Sequence, residues 1–389
     1  MFLLATDSHP VIEFKPSVEI RSRYESRFDR DFNKTVEDTR RDVFTRLRAS
    51  IDFTYGKNVS GRIQYRYAHD AVMTDADDYT TDRSDVELAY VTVKDGAAKV
   101  TFGRQHVITT GERIMGMGKF GNVSKVYEGI RFTNKRLDVF GGRLAIDTKL
   151  YPRAWASFAS YKSKFGQTQL TFKQDEAPEK DLQVWALSHL TEQKLGDVKI
   201  VAEGAVQSGY NQNKDVEGFM FHTKICKPLS KTATAFIGGH IASGGSSNKV
   251  QRTWDSMFGA FHANFGHMDL TGLRNLQHFM AGIDFKPNSR LDFQLMYNYQ
   301  QLFDKKDGWY GAGGSINKTS NGGKYLDPTG QSGRFIGQEI DLTGNYQMTK
   351  DLQLSFGASL FMPGTFVKSF QGGNHANHTW FYIGVTGKF

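Results

Sequence analysis

From near Ser17 to the last residue, the chain is a succession of segments in which apolar and polar side chains alternate, the period of a strand with unlike surroundings on its two faces. The alternation predicts strands near 17–29, 41–55, 58–70, 84–95, 97–106, 125–133, 137–148, 153–163 and 165–174. It continues near 180–191, 197–212, 215–228, 231–243, 277–285, 289–302, 336–347, 350–362 and 378–389, about eighteen strands in all. Tight turns such as Gly56-Lys57, Lys94-Asp95-Gly96, Asn134-Lys135 and Met348-Thr349-Lys350 tend to alternate with longer polar connections, notably 30–40, 71–83, 107–124, 244–276, 303–335 and 363–377. An even strand count with short turns at one end and long loops at the other predicts an all-β fold, a transmembrane antiparallel barrel with periplasmic turns and extracellular loops. Residues 1–16 read as an N-terminal periplasmic segment and 17–389 as the single barrel.

The last segment sharpens this. Phe381, Ile383, Val385 and Phe389 fall on one face, with Tyr382, Thr386 and Lys388 on the other. A chain that ends on an apolar aromatic strand suits a cylinder whose last strand closes against the first. Closure would put Thr386 and Lys388 beside the inner face of the strand that starts near Ser17.

Charge then separates the inner face from the outer. The first strand sets Val18, Ile20, Tyr24 and Phe28 against Glu19, Arg21, Arg23, Glu25 and Arg27. An arginine facing lipid at mid-membrane costs about 2 to 4 kcal/mol, so the second set must face a wet interior. The next two strands repeat the pattern with Asp42, Arg46, Arg48 and Asp52, then Arg62 and Arg66, which gathers seven arginines on one sector of the inner wall. Arg131, Lys199 and Lys224 extend the basic set, and Glu87, Glu203, Asp284, Asp292, Glu339 and Asp341 oppose it. Strict alternation places Arg104 with Val100 and Phe102, and Arg143 with Leu137 and Val139; each adjoins glycine, so a bulge turning it into the pore is the expectation. Two readings follow: a ladder of ion pairs that only stiffens the interior, or a water-filled pore whose basic stripe favours anions.

Composition narrows the alternatives. No run approaches the ~20 apolar residues of a membrane helix, which a barrel does not need because only alternate residues meet lipid. Forty Gly, thirty Phe and sixteen Tyr suit tight turns and aromatic belts. The outer faces would meet outer-membrane lipids and lipopolysaccharide. The single Cys226 excludes an internal disulfide framework and a cysteine-based zinc site. Met1 to Ala5 is too short for a secretory apolar segment, so for an exported protein the chain reads as a mature or a truncated form. The net charge of +8 is spread over strands instead of clustered in a tail, which argues against a nucleic-acid partner.

No cofactor or metal is expected. Asp75, Asp77, Asp78, Asp82 and Asp85 crowd one loop without the mid-loop glycine of a calcium-binding hand, and read as a solvated acidic loop. His375 and His378 lack a third ligand. No Ser/His/Asp set shares one inward register, so the chain does not read as an enzyme.

Several stretches together resemble the alginate-export family of outer-membrane porins. They are Thr101-Phe102-Gly103-Arg104-Gln105, Gly111-Glu112-Arg113, Tyr127-Glu128-Gly129-Ile130-Arg131, Trp254 to Gly259, Gly266 to Leu270, Gly337 to Asp341, and Phe361-Met362-Pro363-Gly364. The resemblance implies eighteen strands around a basic pore, passive diffusion of an anionic saccharide, and pore arginines at Arg104, Arg131 and the first three strands. One departure stands out: the family's polymer exporter carries a long plug before its penultimate strand, where this chain has the tight turn Tyr346 to Asp351. Loop 107–124, with Glu112 and Arg113, is the candidate constriction in its place. The expected function is passage of anionic saccharides or small anions. The alternatives are a barrel that sheathes a periplasmic or outer-membrane partner protein, and a binding protein acting through loops 244–276 and 303–335.

Overall fold

The computed structural model describes residues 11–74, 78–109, 111–145, 154–175, 181–262 and 264–389. The chain forms β1 (Ile12–Phe28), β2 (Arg40–Tyr55), β3 (Val59–Thr74), β4 (Asp78–Asp95), β5 (Ala98–Gln105), β6 (Tyr127–Thr133), β7 (Leu137–Leu144), β8 (Ala154–Ser163) and β9 (Gly166–Asp175). There follow β10 (Leu182–Leu195), β11 (Val198–Asn211), β12 (Lys214–Pro228), β13 (Ala233–Ala242), the two-residue β14 (Val250–Gln251), β15 (Leu276–Phe285), β16 (Leu291–Leu302), β17 (Phe335–Gln347), β18 (Leu352–Pro363), the single-turn α1 (Thr365–Lys368) and β19 (His378–Lys388). β14 lies parallel to the end of β12 and takes no part in the wall. The other eighteen strands pair antiparallel in chain order, and β1 closes on β19.

The first strand begins at Ile12, five residues before the expected start, and pairs there with Tyr55. Residues 12–16 of the expected N-terminal segment are therefore wall; residues 1–10 lie outside the described part of the chain. At the seam Arg21 stands opposite Thr386 and Glu19 opposite Lys388, as closure required. Phe389 exchanges both backbone hydrogen bonds with Val18 at 2.9 Å, so the terminal residue is itself part of the seal.

The alternation decides which face meets which solvent. Ile51, Ile63, Val91, Ile130, Trp185, Leu187, Val206, Ile237, Leu295 and Ile383 are exposed on the outside, where the surrounding medium is hydrocarbon. A register shift at Gln64 and Tyr65 against β4 leaves one extra residue there, and both Glu87 and Leu88 are buried in consequence. That bulge puts a carboxylate among the arginines of β2 and β3. Above the wall, Phe32, Trp309, Tyr325 and Phe361 pack together, with Phe32 5.8 Å from Trp309 and Trp309 5.4 Å from Tyr325, and hold the long extracellular connections as one aromatic cap.

Candidate functional site

Loop 107–124 leaves the wall and crosses the lumen. Near one end, Arg113 Nε donates to Glu203 on β11 at 2.6 Å, and both side chains are buried. Near the other, Arg46 on β2 donates to the carbonyl of Gly121 at 3.1 Å, and Arg21 on β1 to the carbonyls of Lys119 and Gly121 at 3.2 and 2.9 Å. β2 and β11 lie nine strands apart in a wall of eighteen, so the two anchors sit on opposite sides.

Segment 252–275 folds in from the other direction and meets it. Asp255 is held by Lys173 of β9 at 2.8 Å, while Gln207 of β11 both donates to the Asp255 carbonyl and accepts from its N–H. At the far end Met268 N–H donates to Glu339 at 3.0 Å and His267 N–H to Asp341 at 3.4 Å, both on β17. The two segments pair backbone to backbone: Phe258 N–H donates to Ile114 O, Gly116 N–H to Phe258 O and Ala260 N–H to Glu112 O, at 2.9 to 3.1 Å. This approach requires glycine twice, since a Cβ at Gly116 would stand 2.6 Å from Ala260 Cβ and one at Gly259 2.4 Å from Arg113 O. The half-buried Lys125 clamps the join by donating to the carbonyls of Phe258 and Gly259. Burial and the neighbouring Lys173 push its ammonium down to about 8.

The expected arginine sector faces inward, and its work is to hold this partition. Arg23 bonds Glu25 at 2.7 Å and the Phe120 carbonyl at 2.8 Å, and lies 3.8 Å over the Phe120 ring. Arg27 bonds the same Glu25 and the Met268 carbonyl, tying the second segment to the first wall. Arg46 bonds Glu19 at 2.6 Å; Arg48 bonds Glu19, Glu87 and Ser124. Arg66 pairs with Asp85 and Glu87, and Arg62 forms a two-pronged pair with Asp52 at 2.7 Å. Among the described residues Arg21 bonds neutral acceptors alone, the two carbonyls and Asn122 Oδ1 at 2.9 Å.

Elsewhere the expected residues separate. Arg131 pairs with Asp138 and lines a cavity of about 560 Å³ with Arg62 and Lys99 toward the turn end of β2 to β6. Lys199 pairs with Glu192 near the β10–β11 turn. Glu339 and Asp341 retain no exposed surface beneath residues 266–268, with Asn298 and Ser359 completing the bonds of Asp341. Arg104 follows Gly103, whose φ is +110°, and reaches Asp85, the carboxylate Arg66 also holds. Arg143 corrects the expectation. It stands in register with Glu128 and Trp155 on the face of the exposed Leu137 and Val139, is half exposed, and pairs with Glu128 at 3.3 Å, so alternation holds and no bulge turns it inward. In the acidic loop, Asp82 accepts from Tyr67 and pairs with His69, while Asp75 and Asp77 lie outside the described residues.

At the centre stands Glu112, expected at the constriction, with Lys119, Phe120, His262 and Asn264, which were not singled out by sequence. Glu112 and Lys119 pair at 3.0 Å; Phe120 stacks on His262 with ring centres 3.8 Å apart and planes 11° apart; Asn264 stands beside them. The only sequence signal of Lys119 and Phe120 is the glycine spacing of Gly118-Lys119-Phe120-Gly121, which marks a turn without saying what it faces.

Comparison with known proteins places this architecture. A family model described as alginate export matches residues 152–381, more than half of the chain. No curated protein matches the sequence. Among solved structures the chain is similar to OccK7 (OpdD) of Pseudomonas aeruginosa, with TM-score 0.64 at 11% identity over 97% of this chain and 99% of that one. It is similar also to OpdQ of the same organism, with TM-score 0.62 at 12% identity over 97% and 99%. OccK2 (OpdF) of that organism, solved in complex with glucuronate, gives TM-score 0.62 at 11% identity over 97% and 98%. At such identities the likeness is one of fold. Since the family match covers β9 to β18 entire, and the fold is that of outer-membrane channels throughout, the chain belongs to the alginate-export family and is a porin of the Gram-negative outer membrane.

Proposed function

We propose that this porin passes anionic solutes by passive diffusion, uronates and similar anionic saccharides foremost. The observation that carries the reading is a surplus of cation on one inner sector. Eight arginines of β1 to β3 (Arg21, Arg23, Arg27, Arg40, Arg46, Arg48, Arg62 and Arg66) stand on that sector against seven carboxylates, those of Glu19, Glu25, Asp42, Asp52, Asp70, Asp85 and Glu87; Arg21 bonds neutral groups, and Asp70 accepts from Asn122. On the far wall Asp284 and Asp292 accept from the amides of Gln294 and Asn345, and the other acids are taken up. Glu203 is paired with Arg113, and Glu339 and Asp341 are covered by the second inward segment. A low-dielectric wall with excess positive charge concentrates anions in the water beside it.

Size supports small solutes. The inward segments leave separate cavities of about 460, 470 and 560 Å³, within the scale of small-molecule sites at roughly 300–1,000 Å³. The glucuronate bound to the similarly folded OccK2 supports the class of solute. Liposome swelling tests it: glucuronate should enter protein-bearing vesicles faster than glucose, and equal or slower entry of glucuronate contradicts the proposal.

A further inference from the structure

The wall arginines hold the partition with their donor groups, which leaves the question of what a solute meets where the two inward segments join. Among the described residues the cavity at that join, about 470 Å³, is lined by Glu112, Lys119, Phe120, Ala260, His262 and Asn264, with Gly111 and Gly118 at its edge. Lys119 is the most exposed charge in it, at 66% of its side chain, and its one carboxylate partner is Glu112 at 28%. The Lys119 main-chain carbonyl is fixed to Arg21, so the backbone is held while the side chain stays free to move. His262 and Phe120 stand at the other side of the cavity as one stacked pair. Arg23 backs the Phe120 ring, and Asp269 Oδ2 accepts from His262 Nδ1 at 2.9 Å, so the pair cannot swing away.

These are the parts that recognise a charged sugar: one mobile cation, one carboxylate to accept from hydroxyls, an amide, and a rigid aromatic edge. Building on the anion reading above, we infer that Glu112, Lys119, Asn264 and His262 form a subsite for one hexuronate ring at the join. The solute carboxylate replaces Glu112 as the partner of Lys119. That exchange costs little, because an exposed lysine–glutamate pair contributes at most about 1 kcal/mol. The freed Glu112 then accepts from a ring hydroxyl. The subsite makes the wall arginines positioning residues: they fix the backbone that presents Lys119, and the solute's carboxylate goes to the lysine.

Single-channel recording of the full-length protein in planar bilayers tests this, with sodium glucuronate as the blocker and glucose as the neutral control. Lys119→Gln should weaken glucuronate block about tenfold, the loss of one charge-assisted hydrogen bond, while Lys119→Arg stays within about threefold. Glu112→Gln should tighten it by removing the competing carboxylate, an opposite sign that general loosening of the loop would not produce. An anion-preferring wild type whose block is unchanged in Lys119→Gln, or weakened equally by Glu112→Gln, overturns the subsite alone. A wild type that prefers cations overturns the anion reading and the subsite with it.

Discussion

Arg113 of the inward loop and Glu203 of β11 meet at 2.6 Å with neither side chain exposed, nine strands from the point where Arg46 grips the other end of the same loop. The pair fastens a crossbar. Removing one partner leaves the other charge buried, at a cost of about 3–5 kcal/mol, whereas replacing both is often near neutral. Arg113→Ala should therefore free the loop and raise single-channel conductance with frequent switching between levels. Arg113→Met with Glu203→Leu should restore a quiet channel. Conductance traces of the two variants against wild type decide this.

The join between the inward segments depends on backbone proximity. A methyl group at residue 116 would meet Ala260 Cβ at 2.6 Å, too close for either backbone to stay. Gly116→Ala should cost about 1–3 kcal/mol of local packing and separate the segments. Protease susceptibility within 107–124 in folded, reconstituted protein should rise, with the barrel itself still resistant.

Much of the wall was legible because lipid and water impose period two. Residues such as Ile51, Ile63, Leu187 and Ile383 announce the outer face by themselves, and Arg21, Arg46 and Arg66 announce the inner. At Arg143 alternation was a better guide than the neighbouring glycine, whereas Arg104, after Gly103, reaches the Asp85 that Arg66 also holds. From its own residues the partition was legible only as a long loop, and the family resemblance alone marked 107–124, with Glu112 and Arg113, as the candidate constriction. Its anchors are main-chain carbonyls at Lys119, Phe120 and Gly121, which carry no side-chain signal, and its ion pair joins residues ninety positions apart. The sector was readable as basic; that its arginines serve a loop was not.

Placement of the outer face gives a stability test. Leu187 is half exposed on the outside near the middle of β10. Leu187→Arg should destabilise the barrel by about 2–4 kcal/mol in lipid. Urea titration of reversible folding into vesicles measures it, and a change under 1 kcal/mol would place this face away from hydrocarbon.

Lys125 links the partition to pH. Its ammonium sits at about 8 in the folded protein against an ordinary 10.5, because burial and Lys173 disfavour the charge. Between those values the unfolded chain binds more protons than the folded one, so stability should rise with pH through that window. Below about pH 8 both forms are protonated and the contribution is flat. Denaturation midpoints at pH 7.5 and 10 should move apart in wild type by more than in Lys125→Met, in which the window is absent.

The central claim is that surplus arginine on one inner sector makes the lumen favour anions. The zero-current potential of wild-type channels across a KCl gradient reads this directly. The account predicts a potential of the sign set by chloride permeating faster than potassium, reduced in Arg21→Gln, the arginine of that sector whose side chain, among the described residues, bonds neutral acceptors alone. A potential of the opposite sign, with potassium the faster ion, would contradict it.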